Sequence, residues 1–244
     1  MSNTRKIMAT TAAALTMASF GFGVASAAPA DEKVAEKAAK ATVPVAPGTK
    51  ITVETPEGSW AGCTVAFTAT TPSGDPVAVT AGHCAFPGMK VYVDGKLIGE
   101  TDKSSFEEKW DPISPDWATI ALNETAEPFA ASATVSPESV GKARVGDDVC
   151  SNGITSGWQC GVVTATTGDW IWTNLEMAPG DSGAPLIRTS DNAALGIHSA
   201  RGALLPVDYG RSYSLSAALE KAGGYMLTTI DGPAAPGETS PFGS

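Results

Sequence analysis

The sequence has 244 residues, 43% hydrophobic and 17% charged, a composition that excludes a disordered chain and suits one large folded domain or two small ones. Its formal net charge of −10 argues against nucleic acid as the main partner, because phosphate binding requires a surplus of Lys and Arg. With only 2 His and 4 Cys, and no Cys-x-x-Cys pair, the chain offers little for a metal site, so we expect neither metal nor cofactor.

Residues 1–27 have the pattern of a secretory signal peptide. Arg5 and Lys6 give a positive start, an uncharged stretch follows over residues 7–28, and Ala-Ser-Ala ending at Ala27 fits a small-x-small cleavage site. A transmembrane anchor is the alternative, but the stretch is rich in Ala, Thr, Ser and Gly and contains a cleavage site. We therefore expect export to an extracellular location and no membrane association after cleavage.

Two flanking segments differ in composition from the body of the chain. Residues 28–50 are charged and Ala-rich at first and contain proline later, which predicts either a flexible leader or a short pro-segment cut near Lys50-Ile51. Residues 231–244 are rich in Pro, Gly and Ala and predict a disordered tail. The folded domain is therefore expected over residues 51–230.

Short apolar runs separated by turn formers fill this domain. Asp94-Gly95 between two such runs predicts a β-hairpin with a type I′ turn. Helical periodicity is confined to residues 216–222. Many short strands at close spacing predict an all-β barrel or sandwich.

The four cysteines are expected to form disulfides, because the predicted destination of the chain is an oxidising compartment. Three pairings are possible. We favour the two local pairs, Cys63–Cys84 and Cys150–Cys160, the second of which would close a loop rich in turn formers.

Three segments hold residues suited to nucleophilic catalysis: Thr-Ala-Gly-His-Cys at 80–84, Ser-Pro-Asp-Trp-Ala-Thr-Ile at 114–120 and Pro-Gly-Asp-Ser-Gly-Ala-Pro at 179–185. A serine hydroxyl is a weak nucleophile at neutral pH and needs a base, which in turn needs a third group that fixes its tautomer. Histidine is the natural base. The tight turn around Ser182 can also aim the N–H groups of Gly180 and Ser182 at one point, where they would stabilise an oxyanion.

The first and third segments resemble the two signature motifs of chymotrypsin-like serine proteases, and the order His, Asp, Ser is also that of this family. Residues 150–161 further resemble the disulfide loop of the streptogrisin and α-lytic protease branch, and the resemblance extends from about Gly58 to Leu219. It implies an all-β fold of two antiparallel six-stranded Greek-key barrels, about 51–135 and 136–230, with the active-site cleft between them.

By this resemblance Ser182 is the nucleophile, His83 the general base and acid, and Asp116 the group that orients the imidazole. The N–H groups of Gly180 and Ser182 form the oxyanion hole. Ala184 stands where the common motif has a second Gly, and the third disulfide near the specificity pocket of many relatives is absent.

Two further acids compete for a place in the site. Asp102 and Asp111 are alternatives to Asp116, but only Asp116 is followed by the aromatic–Ala–β-branched strand that the family has there.

Asp181 is expected to be buried and to need a cationic or hydrogen-bonding partner. In trypsin-type relatives this partner is a new N-terminus made by activation cleavage, and in the α-lytic branch it is an arginine. The candidate arginines here are Arg144, Arg188, Arg201 and Arg211.

Substrate specificity has three alternatives. Gly-Ile-His-Ser at 196–199 resembles glutamyl endopeptidases, in which the histidine receives an acidic side chain, so His198 with added charge from Arg201 predicts cleavage after acidic residues. Glu176 lies where trypsin-like members place the acid that receives Lys or Arg. Small or apolar residues are the third alternative. By the same resemblance, Ser199 is expected to begin the segment whose backbone pairs with the substrate as an added strand.

The sequence therefore predicts a secreted serine endopeptidase that acts through an acyl-enzyme on protein or peptide substrates, as a monomer, with a preference for acidic residues before the cleaved bond. The alternative is a catalytically silent homologue that acts as a secreted binding module.

Overall fold

The computed structural model of the protein describes residues 42–55, 58, 60–106, 114–203 and 208–234. The predicted signal peptide and most of the predicted leader lie outside this part. The strands, in chain order, are β1 (Val43–Val45), β2 (Lys50–Glu54), β3 (Trp60–Thr64), β4 (Phe67–Thr70), β5 (Pro76–Thr80), β6 (Lys90–Val93), β7 (Lys96–Ser104), β8 (Ala118–Leu122), β9 (Ala126–Pro128), β10 (Ser139–Val140), β11 (Asp148–Gly153), β12 (Gly157–Thr167), β13 (Trp170–Thr173), β14 (Pro185–Arg188), β15 (Ala193–Ala203), β16 (Asp208–Ser214), β17 (Met226–Thr229) and β18 (Gly232–Ala234). A 3-10 turn at Gly82–Cys84 and the helix α1 (Leu215–Lys221) complete the described elements.

Six antiparallel strands close a barrel in the second half of the chain. β11, β12, β13, β16, β15 and β14 follow one another around it, and β14 pairs back with β11. The short β10 adds to β15 in parallel. Buried apolar side chains fill this barrel, among them Val149, Ile171, Leu186 and Leu195. This is the expected six-stranded barrel.

The first sheet is larger than predicted. It has nine strands in the order β18-β17-β4-β5-β8-β7-β6-β2-β3. The difference from six arises partly because the C-terminal strands return to this sheet, where β17 pairs with β4 through Met226–Thr70 and Leu227–Ala69. The predicted second half, 136–230, and the predicted tail, 231–244, therefore contribute β17 and β18 to the first sheet.

Two local predictions are confirmed by backbone geometry. Asp94 and Gly95 connect β6 and β7 with φ angles of 49° and 74°, and a type I′ turn requires positive values at both positions. The helix α1 begins one residue before the predicted start at 216. The hydroxyl of Ser214 caps it by accepting the N–H of Ala217 at 3.4 Å.

Residues 42–50, which precede the predicted start of the domain at Ile51, are part of the folded body. β1 pairs in parallel with β9, and Val43 and Val45 are buried there. β2 begins at Lys50 and pairs with β3, so one strand spans the boundary predicted between leader and domain. Three residues are too few for their alternation of apolar and polar side chains to identify a strand from sequence.

Both favoured disulfides are present. Cys63–Cys84 ties β3 to the 3-10 turn, and Cys150–Cys160 bridges β11 and β12. No helix in the described part of the chain is long and apolar enough to cross a membrane.

Candidate active site

His83 and Asp116 meet through two hydrogen bonds. His83 lies in the 3-10 turn after β5, and Asp116 lies two residues before β8. Oδ2 of Asp116 is 2.8 Å from Nδ1 of His83, and Oδ1 accepts the main-chain N–H of His83 at 2.8 Å. Gly82 permits this approach, because a Cβ there would lie 2.9 Å from the main-chain N of Trp117.

The Asp116 carboxylate determines which nitrogen of the His83 imidazole carries a proton. Burial in itself raises the pKa of the Asp116 carboxyl, but the hydrogen bond and charge of His83 and a hydrogen bond from Ser199 outweigh it and hold the pKa below its ordinary value. An ionised carboxylate accepts hydrogen bonds only, so Nδ1 of His83 carries its proton and Nε2 is left to accept one. The His83 side chain is 27% exposed, which leaves it accessible to a substrate.

Ser199 has a role that the sequence did not reveal. Its hydroxyl donates to Oδ2 of Asp116, and both residues are buried. The two lie 83 positions apart, and a serine in a strand gives no local signal of such a partner. The expected pairing of the Ser199 backbone with substrate stays a prediction.

Ser182 lies in a tight turn between β13 and β14. Gly180 and Gly183 have φ angles of 102° and 88°, which favour glycine. At Gly183 a Cβ would lie 2.1 Å from the main-chain oxygen of Thr64, so this position also lacks space for a side chain. The turn is anchored to β3, since the N–H of Thr64 donates to the Ser182 carbonyl at 2.8 Å and its hydroxyl to the Gly180 carbonyl at 2.9 Å.

The Cys63–Cys84 disulfide lies next to both the Ser182 turn and His83. Sγ of Cys84 is 3.8 Å from the carbonyl oxygen of Ser182 and 4.0 Å from Nε2 of His83. Ser182, His83 and Asp116, which are far apart in sequence, are thus brought to one place by the fold.

The predicted donors of the oxyanion hole are the N–H groups of Gly180 and Ser182, which alternate along this turn with those of Asp181 and Gly183. Those of Asp181 and Gly183 are used inside the protein, where they donate to the carbonyls of Ala178 at 3.0 Å and His198 at 2.7 Å. The N–H groups of Gly180 and Ser182, which alternate with them, remain the predicted oxyanion donors.

Neutral donors hold the Asp181 carboxylate. Oδ1 accepts the N–H groups of Thr155 at 2.8 Å and Ser156 at 3.1 Å, and Oδ2 accepts that of Ala178 at 2.7 Å. Burial raises the pKa of this carboxyl, but these bonds and the Ser156 side chain outweigh it and hold the pKa below the ordinary value. Gly153 makes room for the carboxylate, because a Cβ there would lie 2.2 Å from Oδ1.

Two of the candidate arginines have other partners. Arg188 pairs with Asp147 at 3.0 Å and with Asp191 at 2.8 Å. The guanidinium of Arg211 lies 4.1 Å from the ring centre of Trp170. A hydrogen-bonding partner was expected as an alternative to a cation. The particular donors could not be predicted, because they are main-chain N–H groups, which do not depend on the identity of the side chain.

His198 is buried in β15, directly behind the Ser182 turn. Its N–H donates to the Ala184 carbonyl at 2.8 Å, and its carbonyl accepts from Gly183. Burial lowers the pKa of the His198 imidazole from 6.5 to about 4, a shift that the charge of Asp181 opposes and that of His83 favours. The imidazole is therefore neutral at neutral pH.

The other predicted pocket residues are less enclosed. Glu176 is exposed, between the buried Leu175 and Met177, so it faces solvent. The main chain of Arg201 pairs with Gly210, and its side chain lies outside the described part. Of the competitors to Asp116, Asp102 accepts a hydrogen bond from the Tyr225 hydroxyl at 2.8 Å, and Asp111 lies outside the described residues.

Comparison with known proteins identifies the fold. No protein-family model and no curated protein matches the sequence. Among solved structures, Nocardiopsis protease is similar at a TM-score of 0.62 and 24% identity, over 76% of this chain and 99% of that one. Cellulomonas bogoriensis chymotrypsin is similar at 0.61 and 24%, over 77% and 100%. A glutamic acid specific serine protease, described as using a histidine triad in substrate binding, is similar at 0.60 and 24%, over 75% and 100%.

The chain therefore has the two-barrel fold of bacterial chymotrypsin-like serine proteases. This fold agrees with the one implied by the motifs around His83 and Ser182.

Proposed function

We propose that this protein is a secreted serine endopeptidase that hydrolyses peptide bonds through Ser182, His83 and Asp116. The observation that carries the proposal is the double hydrogen bond between Asp116 and His83, on a protease fold, with the Ser182 turn against the same disulfide. Residues 1–27 direct the chain out of the cell, and two disulfides suit an oxidising compartment.

The proposed mechanism follows from the state of His83. Asp116 keeps the proton on Nδ1, so Nε2 takes the proton of the Ser182 hydroxyl as its oxygen attacks the peptide carbonyl carbon. The N–H groups of Gly180 and Ser182 stabilise the oxyanion. His83 then protonates the departing amine, which leaves an acyl-enzyme on Ser182. A water molecule, deprotonated by His83, hydrolyses this ester and restores the serine.

We further propose that the enzyme prefers an acidic residue before the cleaved bond, with His198 as the group that recognises it. One structurally similar protease is glutamic acid specific and uses three histidines. This chain has 2, of which His83 is assigned to catalysis, so a single imidazole would do this work. A neutral His198 donates one N–H to the substrate carboxylate, and the negative charge favours its protonation. Any charge from Arg201 would add to this, whereas the exposed Glu176 gives little support to a basic preference.

Digestion of a mixed peptide library by the mature chain tests both proposals. The expected result is cleavage after Glu or Asp that Ser182→Ala abolishes and that His198→Gln selectively weakens. Cleavage with an unchanged profile in His198→Gln would remove His198 from substrate recognition and leave the peptidase proposal standing. No cleavage of any peptide, with Ser182 unreactive, would favour the catalytically silent binding module.

A further inference from the structure

We propose that residues 42–50, here called the N-terminal strap, brace the loop that holds Asp181, so that the uncut chain is already catalytically competent. The proposal rests on the proposed function and concerns the activation of that site. It opposes the expectation of an activating cut near Lys50-Ile51. Gly48 and Gly153 are then positioning residues, which act through the loop.

The brace begins with main-chain pairing to β3 and the residue after it. The N–H of Gly48 donates to the Val65 carbonyl at 2.8 Å, and the N–H of Val65 donates to the Thr49 carbonyl at 2.9 Å. The neighbouring Thr64 donates to the Ser182 carbonyl at 2.8 Å. The strap thus lies one residue from the anchor of the Ser182 turn.

A second contact joins the strap to the loop at 152–156. Gly48 lies so close to Asn152 that a Cβ on it would be 2.6 Å from the Asn152 side-chain nitrogen. Three residues further on, the N–H and hydroxyl of Thr155 bond to Asp181 at 2.8 Å and to the Pro179 carbonyl at 2.8 Å. Displacement of the strap would therefore loosen the donors that hold Asp181.

Cleavage before Ile51 would not help to hold the Asp181 carboxylate. Ile51 is fully buried and paired with Cys63 inside the five-residue ladder between β2 and β3. A new N-terminus there would have to leave this ladder to reach Asp181. Both oxygens of Asp181 already accept main-chain N–H groups, so the carboxylate needs no new cation.

The first test asks whether the loop is ordered before any cleavage. Hydrogen exchange is measured on mature Ser182→Ala protein, which cannot digest itself and whose mass shows that residues 28–50 are present. We expect the N–H groups of Thr155, Ser156 and Ala178 to exchange far more slowly than in an unstructured peptide. Exchange as fast as in the peptide would overturn the proposal. This readout is independent of activity, so it is distinct from a failure of the proposed function.

The second test uses two glycines with similar backbone conformations. Gly48 and Gly74 have φ angles of 87° and 91°, but a Cβ at Gly74 would meet nothing within 4 Å. Gly48→Ala should lower kcat by roughly threefold to tenfold with KM little changed, because its methyl group pushes aside the Asn152 side chain through which the strap contacts the loop. Gly74→Ala, with the same backbone strain, should stay within about twofold of wild type.

A third variant acts on the loop itself. Gly153→Ala places a methyl group against the Asp181 carboxylate and should also lower kcat more than it raises KM, with the folded state retained by circular dichroism. Equal kcat in Gly48→Ala and Gly74→Ala would contradict the brace. The brace would also be contradicted if a serine-directed probe reacted only with molecules that begin at Ile51.

Discussion

Acid should destabilise this protein through His198. In the folded chain the imidazole takes up a proton only near pH 4, whereas in the unfolded chain it does so near pH 6.5. Between these values His198 binds a proton in the unfolded state but not in the folded state. The unfolding free energy therefore falls as the pH is lowered from 7 to 4. The full gap corresponds to about 3 kcal/mol, at about 1.4 kcal/mol per pH unit, for a side chain that is almost completely buried.

Urea unfolding at several pH values between 7.5 and 4.5 measures this loss. Ser182→Ala serves as the reference, so that self-digestion does not interfere, and Ser182→Ala with His198→Gln is the matched control. The other ionisable groups are the same in both proteins, so their contributions cancel in the difference. Because the titration ends at pH 4.5, before the full gap is crossed, the reference should lose between about 2 and about 3 kcal/mol more than the control. Parallel pH dependences in the two proteins would contradict the prediction, because they would mean that burial does not lower the pKa of His198 in the folded state.

Three substitutions at the site have different expected costs. Asp116→Asn should lower kcat by roughly 10⁴-fold, as in other Ser-His-Asp triads, because an amide no longer fixes the His83 tautomer; steady-state kinetics on a peptide substrate check this, and a loss under tenfold would contradict the role. Ser199→Ala removes one hydrogen bond to Asp116 and should cost about tenfold in kcat in the same assay. Gly183→Ala should lower the unfolding free energy by about 2 kcal/mol or more in urea titrations, because its methyl group meets main-chain oxygen; unchanged stability would mean that the turn adapts.

The features that the sequence predicted correctly depend on residues that are close together along the chain. The Asp94-Gly95 turn needs only its own two residues to adopt positive φ, and the structure has it. The disulfide pairs were favoured because their members are close in sequence, with separations of 21 and 10. The motifs around His83 and Ser182 were recognisable because the turns that hold them restrict several neighbouring positions to small residues.

Features that depend on distant contacts were not predictable. The Ser199 hydroxyl reaches Asp116 across 83 positions, and Asp181 takes its donors from main-chain groups that every sequence has. The pairing of Val43 with Ala126 likewise joins two short segments with no pattern of their own. Composition assigned residues 28–50 to a leader, although in the structure Val43 and Val45 are buried and the main chain of the strap pairs with β9 and with Val65.

Reaction with a serine-directed phosphonate probe, followed by peptide mapping with mass spectrometry, tests whether Ser182 is a nucleophile activated by His83. We expect one adduct, on Ser182, in the wild-type protein. We expect no adduct in Ser182→Ala and a strongly slowed reaction in His83→Ala, because the hydroxyl then lacks its base. An unmodified Ser182 in folded wild-type protein, or an adduct that forms equally fast in His83→Ala, would contradict these expectations.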